Sequence, residues 1–163
     1  MRRLVCLAFV VAAACSGSPG GPAQLTKIDQ PTTQTLQHDP VESGDILDRE
    51  PVANTAQIKH ILIGWNQSGN DGRGDPRAAK RTQKDAQDLI RSLMEQIKQG
   101  ADFDALMKKY SEDPGSAGSA RAYTVSPEAQ LVIEFKQLGL RLHMNEVGVV
   151  KSEYGYHIMK RVE

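Results

Sequence analysis

The sequence predicts an α+β domain with four strands. Three observations carry that prediction. Four short stretches read as strands, three others carry apolar residues at the three- and four-residue spacing of a helix, and their order is strand, two helices, strand, helix, strand, strand. A chain of 163 residues holds one ordinary domain plus extras. It carries 20 basic and 20 acidic side chains. That balance argues against a generic nucleic-acid binder, whose affinity would come from Lys and Arg neutralising phosphates.

The domain does not start at residue 1. Met1-Arg2-Arg3 is a short basic opening, and Leu4 to Ala14 is an unbroken apolar run ending at Cys15, the pattern of a secretory signal peptide. Eleven residues are too few to cross a bilayer as a helix, which takes about 20. Ala12-Ala13-Ala14 before Cys15 resembles the lipobox of bacterial lipoproteins, which predicts a lipidated Cys15 as the mature N-terminus and a firm anchor through two or three acyl chains. Ser16 after the cysteine resembles the outer-membrane sorting pattern. Residues 15–55 are rich in Pro, Gly, Ser, Thr, Gln and Asp, lack aromatic residues and sustain no apolar period, so they are read as a flexible linker. The domain is then expected over residues 56–163.

Gln57 to Ile63 is apolar on both faces, as a central strand covered on both sides should be, and Gly64 ends it. Asp75 suits a helix N-cap and Pro76 a first helical position, and Ala86, Leu89, Ile90, Leu93, Met94 and Ile97 form one stripe that Gly100 closes. A second helix starts at Asp102 with Phe103, Leu106, Met107 and Tyr110 on one face; Ser111 to Gly115 is a turn by composition. Arg121 to Val125 is a short strand. Ser126-Pro127 is expected to cap a helical stretch carrying Leu131, Val132, Phe135 and Leu138. Val147 to Val150 and Tyr156 to Val162 flank a hairpin connection at residues 152–155.

Of four histidines, only His60 and His157 lie within predicted strands. Period two puts His60 on a face with Ile58 and Leu62, and His157 on a face with Met159. If the first and last strands pair, the two imidazoles meet, and Asp113 on its loop completes a polar cluster in an apolar bowl. Such a cluster suits metal binding, acid-base work or hydrogen-bond tuning. Metal is disfavoured because three ligands at characteristic local spacing are missing, and a hydrolase because Ser111, Ser116 and Ser119 lack a nucleophile-elbow context.

Several stretches in order resemble the parvulin-type peptidyl-prolyl isomerases. Ile58-Lys59-His60-Ile61-Leu62-Ile63 resembles the family's first strand, Gly100 to Leu106 its second-helix entry, Tyr110-Ser111-Glu112-Asp113-Pro114-Gly115-Ser116-Ala117 its acidic or thiol loop, and Glu146-Val147-Gly148 with Tyr154 to Lys160 its last hairpin. The resemblance implies a mostly antiparallel four-stranded sheet surrounded by about four helices. It also implies noncovalent rotation about X-Pro bonds, against a barrier of about 20 kcal/mol, with no cofactor and no metal. By the same resemblance His60 and His157 form the histidine pair, Asp113 is the third polar member and Ser152 the supporting hydroxyl. Leu131, Phe135, Tyr123 and Tyr154 would contact the substrate, a proline-containing unfolded or extended polypeptide. The implied setting is the bacterial cell envelope, with the domain in the periplasm and the outer membrane favoured over the inner.

The family commonly has a Gly-Gly-Asp-Leu strand where this chain has Ala120-Arg121-Ala122-Tyr123, which restricts the backbone and puts a tyrosine on the pocket. That departure motivates an alternative function, a parvulin-like holdase or peptide-binding module with little isomerase activity. Phospho-specific members carry a basic cluster after the first strand; here Arg77, Lys80 and Arg81 read instead as the solvated opening of a helix.

Overall fold

A computed structural model describes residues 38–69 and 75–163. The signal peptide, Cys15 and the first part of the linker lie outside the described residues.

The four strands are β1 (Ala56–Ile63), β2 (Tyr123–Val125), β3 (Val147–Ser152) and β4 (Gly155–Arg161). They form one antiparallel sheet in the order β2-β1-β4-β3. The expected pairing of first and last strands is present, with Leu62 opposite His157 and His60 opposite Met159. Because β1 and β4 are central, both of their faces are covered. On one face Ile61, Ile63 and Ile158 pack under helices α3 (Gln83–Lys98) and α4 (Phe103–Tyr110); on the other Ile58 and Met159 pack under Phe135 and Leu138 of helix α6 (Ile133–Gly139).

Several boundaries differ from expectation. The predicted helix from Asp75 to Gly100 is two, α2 (Pro76–Ala79) and α3, because Thr82 starts afresh: its side chain and that of Asp85 each accept from the other's backbone, a complete capping box. The predicted turn after Ser111 continues into a short helix, α5 (Pro114–Ser119), with Asp113 as N-cap and Pro114 at its first position. Ser126-Pro127 do not cap a helix. Residues 127–131 make turns and bends, and α6 starts only at Ile133, so Leu131 and Val132 precede it.

The largest correction concerns residues 38–55, assigned by composition to the linker. They pack on the domain. Helix α1 (Gly44–Leu47) buries Ile46 against the α6 side of the sheet, and Val52 and Ala53 donate to Leu140 O. Edge strand β3 is covered by the same segment, since Ser43 N donates to Val149 O and Lys151 N donates to Glu42 Oε1. Tyr156 anchors it further by donating to Asp39 (2.8 Å). A polar segment is ordered here because its carboxylates and hydroxyls satisfy an exposed strand edge.

Candidate active site

β2 pairs with β1 only through Ile58, so further along β1 that edge needs other partners. The loop after α4 supplies them. Leu62 N donates to Ser111 Oγ (3.1 Å), Glu112 N donates to Leu62 O (2.9 Å), and Gly64 N donates to Glu112 Oε2 (2.7 Å). Ser111 and Ser116, both buried, share a hydroxyl hydrogen bond of 2.7 Å. The loop is thereby fixed to the sheet backbone, and Asp113 is delivered over His60.

His60 Nε2 lies 3.1 Å from Asp113 Oδ2, His60 Nδ1 lies 3.2 Å from His157 Nδ1, and His157 Nε2 lies 2.7 Å from Ser152 Oγ. The proton positions follow from chemistry. An ionised carboxylate only accepts, so His60 Nε2 donates to Asp113; with His60 Nδ1 as an acceptor, His157 donates from Nδ1, and His157 Nε2 accepts from the Ser152 hydroxyl. Tyr154 N donates to Ser152 Oγ (3.1 Å) at the far end. The result is a one-way chain of donors running from Tyr154 N to the Asp113 carboxylate. All four ring nitrogens are engaged within it.

Burial keeps His157 neutral. His157 is pushed down to about 3, first by burial and then by the neighbouring His60, with Asp113 pulling the other way. For Asp113, burial acts upward but is outweighed by hydrogen bonds from His60 and Tyr123, and the carboxyl is held below its usual range. Tyr123 is pushed up to about 12 by burial and by its bond to Asp113.

Phe135 packs edge-on to both imidazoles, with ring centroids 5.0 Å from His60 and 5.5 Å from His157. Above them opens a pocket of about 540 Å³ lined by His60, Asp113, Tyr123, Leu131, Phe135, Tyr154 and His157. Ser152 supports it from behind through His157. Every site residue expected within the described part of the chain therefore comes together; Cys15 lies outside it.

Asp75, Glu112, Gln130 and Val132 also line the pocket and were not expected there. Glu112 had a signal, its place in the same loop as Asp113. Arg81 is a correction: instead of sitting on a solvated helix opening it is largely buried, 2.8 Å from Glu112 Oε1 in a charge contact rather than a directed hydrogen bond, and it donates to Gly64 O (2.7 Å). Arg77 donates to both Asp75 oxygens and to the carbonyls of Lys109 and Ser111.

Residues 45–163 match the family model of the PPIC-type PPIase domain. The chain belongs to that family. The match begins inside α1, consistent with the packing of that helix on the domain. The PPIase domain is 37% identical over 105 residues to foldase protein PrsA 4 of Bacillus cereus, covering 64% of this chain and 30% of that protein. It is 37% identical over 111 residues to the chaperone SurA of Pseudomonas aeruginosa, covering 67% and 24%. The chain thus spans less than a third of the length of these curated relatives. Among solved structures, a peptidylprolyl isomerase (PrsA) from Bacillus cereus superposes with a TM-score of 0.50 at 30% identity, covering 73% of this chain and 38% of the other. The peptidyl-prolyl isomerase ESS1 from Candida albicans superposes at 0.59, with 22% identity and coverages of 68% and 63%, a likeness of fold.

Proposed function

We propose that this chain is a peptidyl-prolyl cis-trans isomerase that assists the folding of exported proteins and is held at a bacterial membrane by lipid on Cys15. The observation that carries the reading is the His60–His157 pair, its ring nitrogens 3.2 Å apart between Asp113 and Ser152, on the floor of a pocket with Phe135 as a wall. Rotation about an X-Pro bond makes and breaks no covalent bond; the enzyme must bind the twisted amide better than the planar one. Leu131, Phe135 and Tyr123 would hold the proline ring and exclude water, with Tyr154 at the rim. His60, Asp113, His157 and Ser152 would supply a fixed array of dipoles that does not reorganise as the amide loses conjugation. The basic start, apolar run and lipobox-like residues before Cys15 support export and anchoring, with the outer membrane favoured. Among the described residues no helix is long and apolar enough to cross a membrane.

The test is an exchange or protease-coupled assay on X-Pro peptides. The wild type should accelerate exchange, and a His60→Ala, His157→Ala double variant should lose most of the acceleration. Equal rates for the two would defeat the isomerase reading, and aggregation suppression surviving in both would then favour the holdase. Metabolic labelling with a fatty acid, abolished by Cys15→Ser, tests the anchor.

A further inference from the structure

Tyr123 stands where the first strand's short partner meets the pocket, and its hydroxyl faces a carboxylate as well as a substrate. It donates to Asp113 Oδ2 at 2.8 Å, while Asp113 Oδ2 also accepts from His60 Nε2 (3.1 Å) and Ser116 N (2.9 Å). Three donors therefore converge on one oxygen; among the described residues Oδ1 accepts only a long bond from Gly115 N, at 3.4 Å. The ring is half-buried, 5.2 Å from His60 and nearly perpendicular to it.

The space for that hydroxyl comes from Gly115. A Cβ built there would lie 2.5 Å from the Tyr123 hydroxyl oxygen and 3.3 Å from Asp113 Oδ2. Gly115 sits in α5 without a positive φ, so the backbone does not require glycine there and alanine would be the better helix former. Space for the tyrosine hydroxyl is what the missing side chain provides.

We infer that Tyr123 is a positioning residue for the isomerase reaction as well as a wall of the pocket: its hydroxyl, admitted by Gly115, holds Asp113 in register with His60 and so keeps the histidine chain in its one-way pattern. The inference rests on the proposed isomerase function. A wall alone needs the ring; positioning needs the oxygen. Tyr123→Phe keeps the first and removes the second.

The experiment measures kcat, KM and the pH profile of X-Pro exchange for wild type, Tyr123→Phe, Gly115→Ala and the double variant. Histidine side-chain ¹⁵N spectra on the same samples give a readout that needs no turnover. Expected for Tyr123→Phe are an approximately fivefold or greater fall in kcat with KM within twofold, an acid limb moved to higher pH, and a shifted His60 Nε2 resonance. Gly115→Ala should do much the same in wild type and add less than twofold in the Tyr123→Phe background, because the group it displaces is already gone. In the wild type the Tyr123 ring should titrate well above the usual tyrosine range near 10. Unchanged kcat, pH profile and His60 resonance in Tyr123→Phe would overturn the inference, as would fully additive effects of the two substitutions. If the wild type proves inactive, the isomerase reading fails on its own, and an unmoved His60 resonance in Tyr123→Phe still decides against the positioning role.

Discussion

Ser43 and Val149 hold each other twice: Ser43 N donates to Val149 O and Val149 N donates to Ser43 Oγ, both at 2.9 Å. One serine thus serves both the donor and the acceptor of an edge-strand residue, and Glu42 serves Lys151 beside it. Residues 38–55 are part of the domain rather than a flexible linker.

Truncation separates these readings. A fragment starting at residue 38 should unfold at the same urea midpoint as the full chain, whereas one starting at residue 56 should be clearly less stable. Ile46, 4% exposed, anchors α1, and Ile46→Ala should cost about 2–4 kcal/mol by urea denaturation. Equal midpoints for the two fragments would show that the packing of residues 38–55 adds nothing.

The buried imidazole makes stability fall with acid. His157 binds its proton less readily folded than unfolded, so between about 3 and the usual histidine value near 6.5 the unfolded state holds more protons and stability rises with pH. The contribution is present above about 6.5 and lost as pH falls through that window. Asp113 adds the same sign lower down, since its folded carboxyl is held below the usual range. Urea denaturation across pH 4 to 6 should show a slope for wild type up to about 1.4 kcal/mol per pH unit steeper than for His157→Gln. Identical slopes would mean that His157 is protonated in the folded protein.

Ala120 takes φ 53, a left-handed conformation, as the C-cap of α5. An L-residue there costs roughly 1–2 kcal/mol, and glycine relieves it at some cost in unfolded-chain entropy. Ala120→Gly should therefore raise stability by about 0.5–1 kcal/mol in urea melts. A loss of stability would show that the left-handed turn is unstrained.

Phe135, 3% exposed, is both pocket wall and core. Phe135→Ala should cost about 3–5 kcal/mol and raise KM for X-Pro peptides at temperatures where the variant stays folded. An unchanged KM in the folded variant would remove Phe135 from the substrate site.

Arg77 and Arg81 are committed to Asp75, Glu112 and main-chain carbonyls, and Asp75, Glu112 and Asp113 line the pocket. A phosphorylated residue before the proline should therefore lower kcat/KM, by about fivefold for about 1 kcal/mol of like-charge repulsion. Faster turnover of the phosphopeptide, measured against its unmodified twin, would show that the basic residues are free to receive it.

By itself the sequence determined the order of the strands along the chain, their apolar faces and the two histidines of the polar cluster. Those are local or periodic properties: His60 and His157 share their strand faces with Ile58 and Met159 whatever the partner strand. It misjudged residues 38–55, because composition registers few apolar side chains but not the hydrogen-bonding demand of an edge strand that a polar segment can meet. Solvation of Arg81 was misread for a related reason, since its partner Glu112 is 31 positions away and only the return of the α4–α5 loop to β1 joins them. Tertiary structure alone decided the direction of the proton chain and the place of Tyr123 in it. Both depend on which donor faces which lone pair across four strands and a loop, at distances near 3 Å that no spacing along the chain encodes.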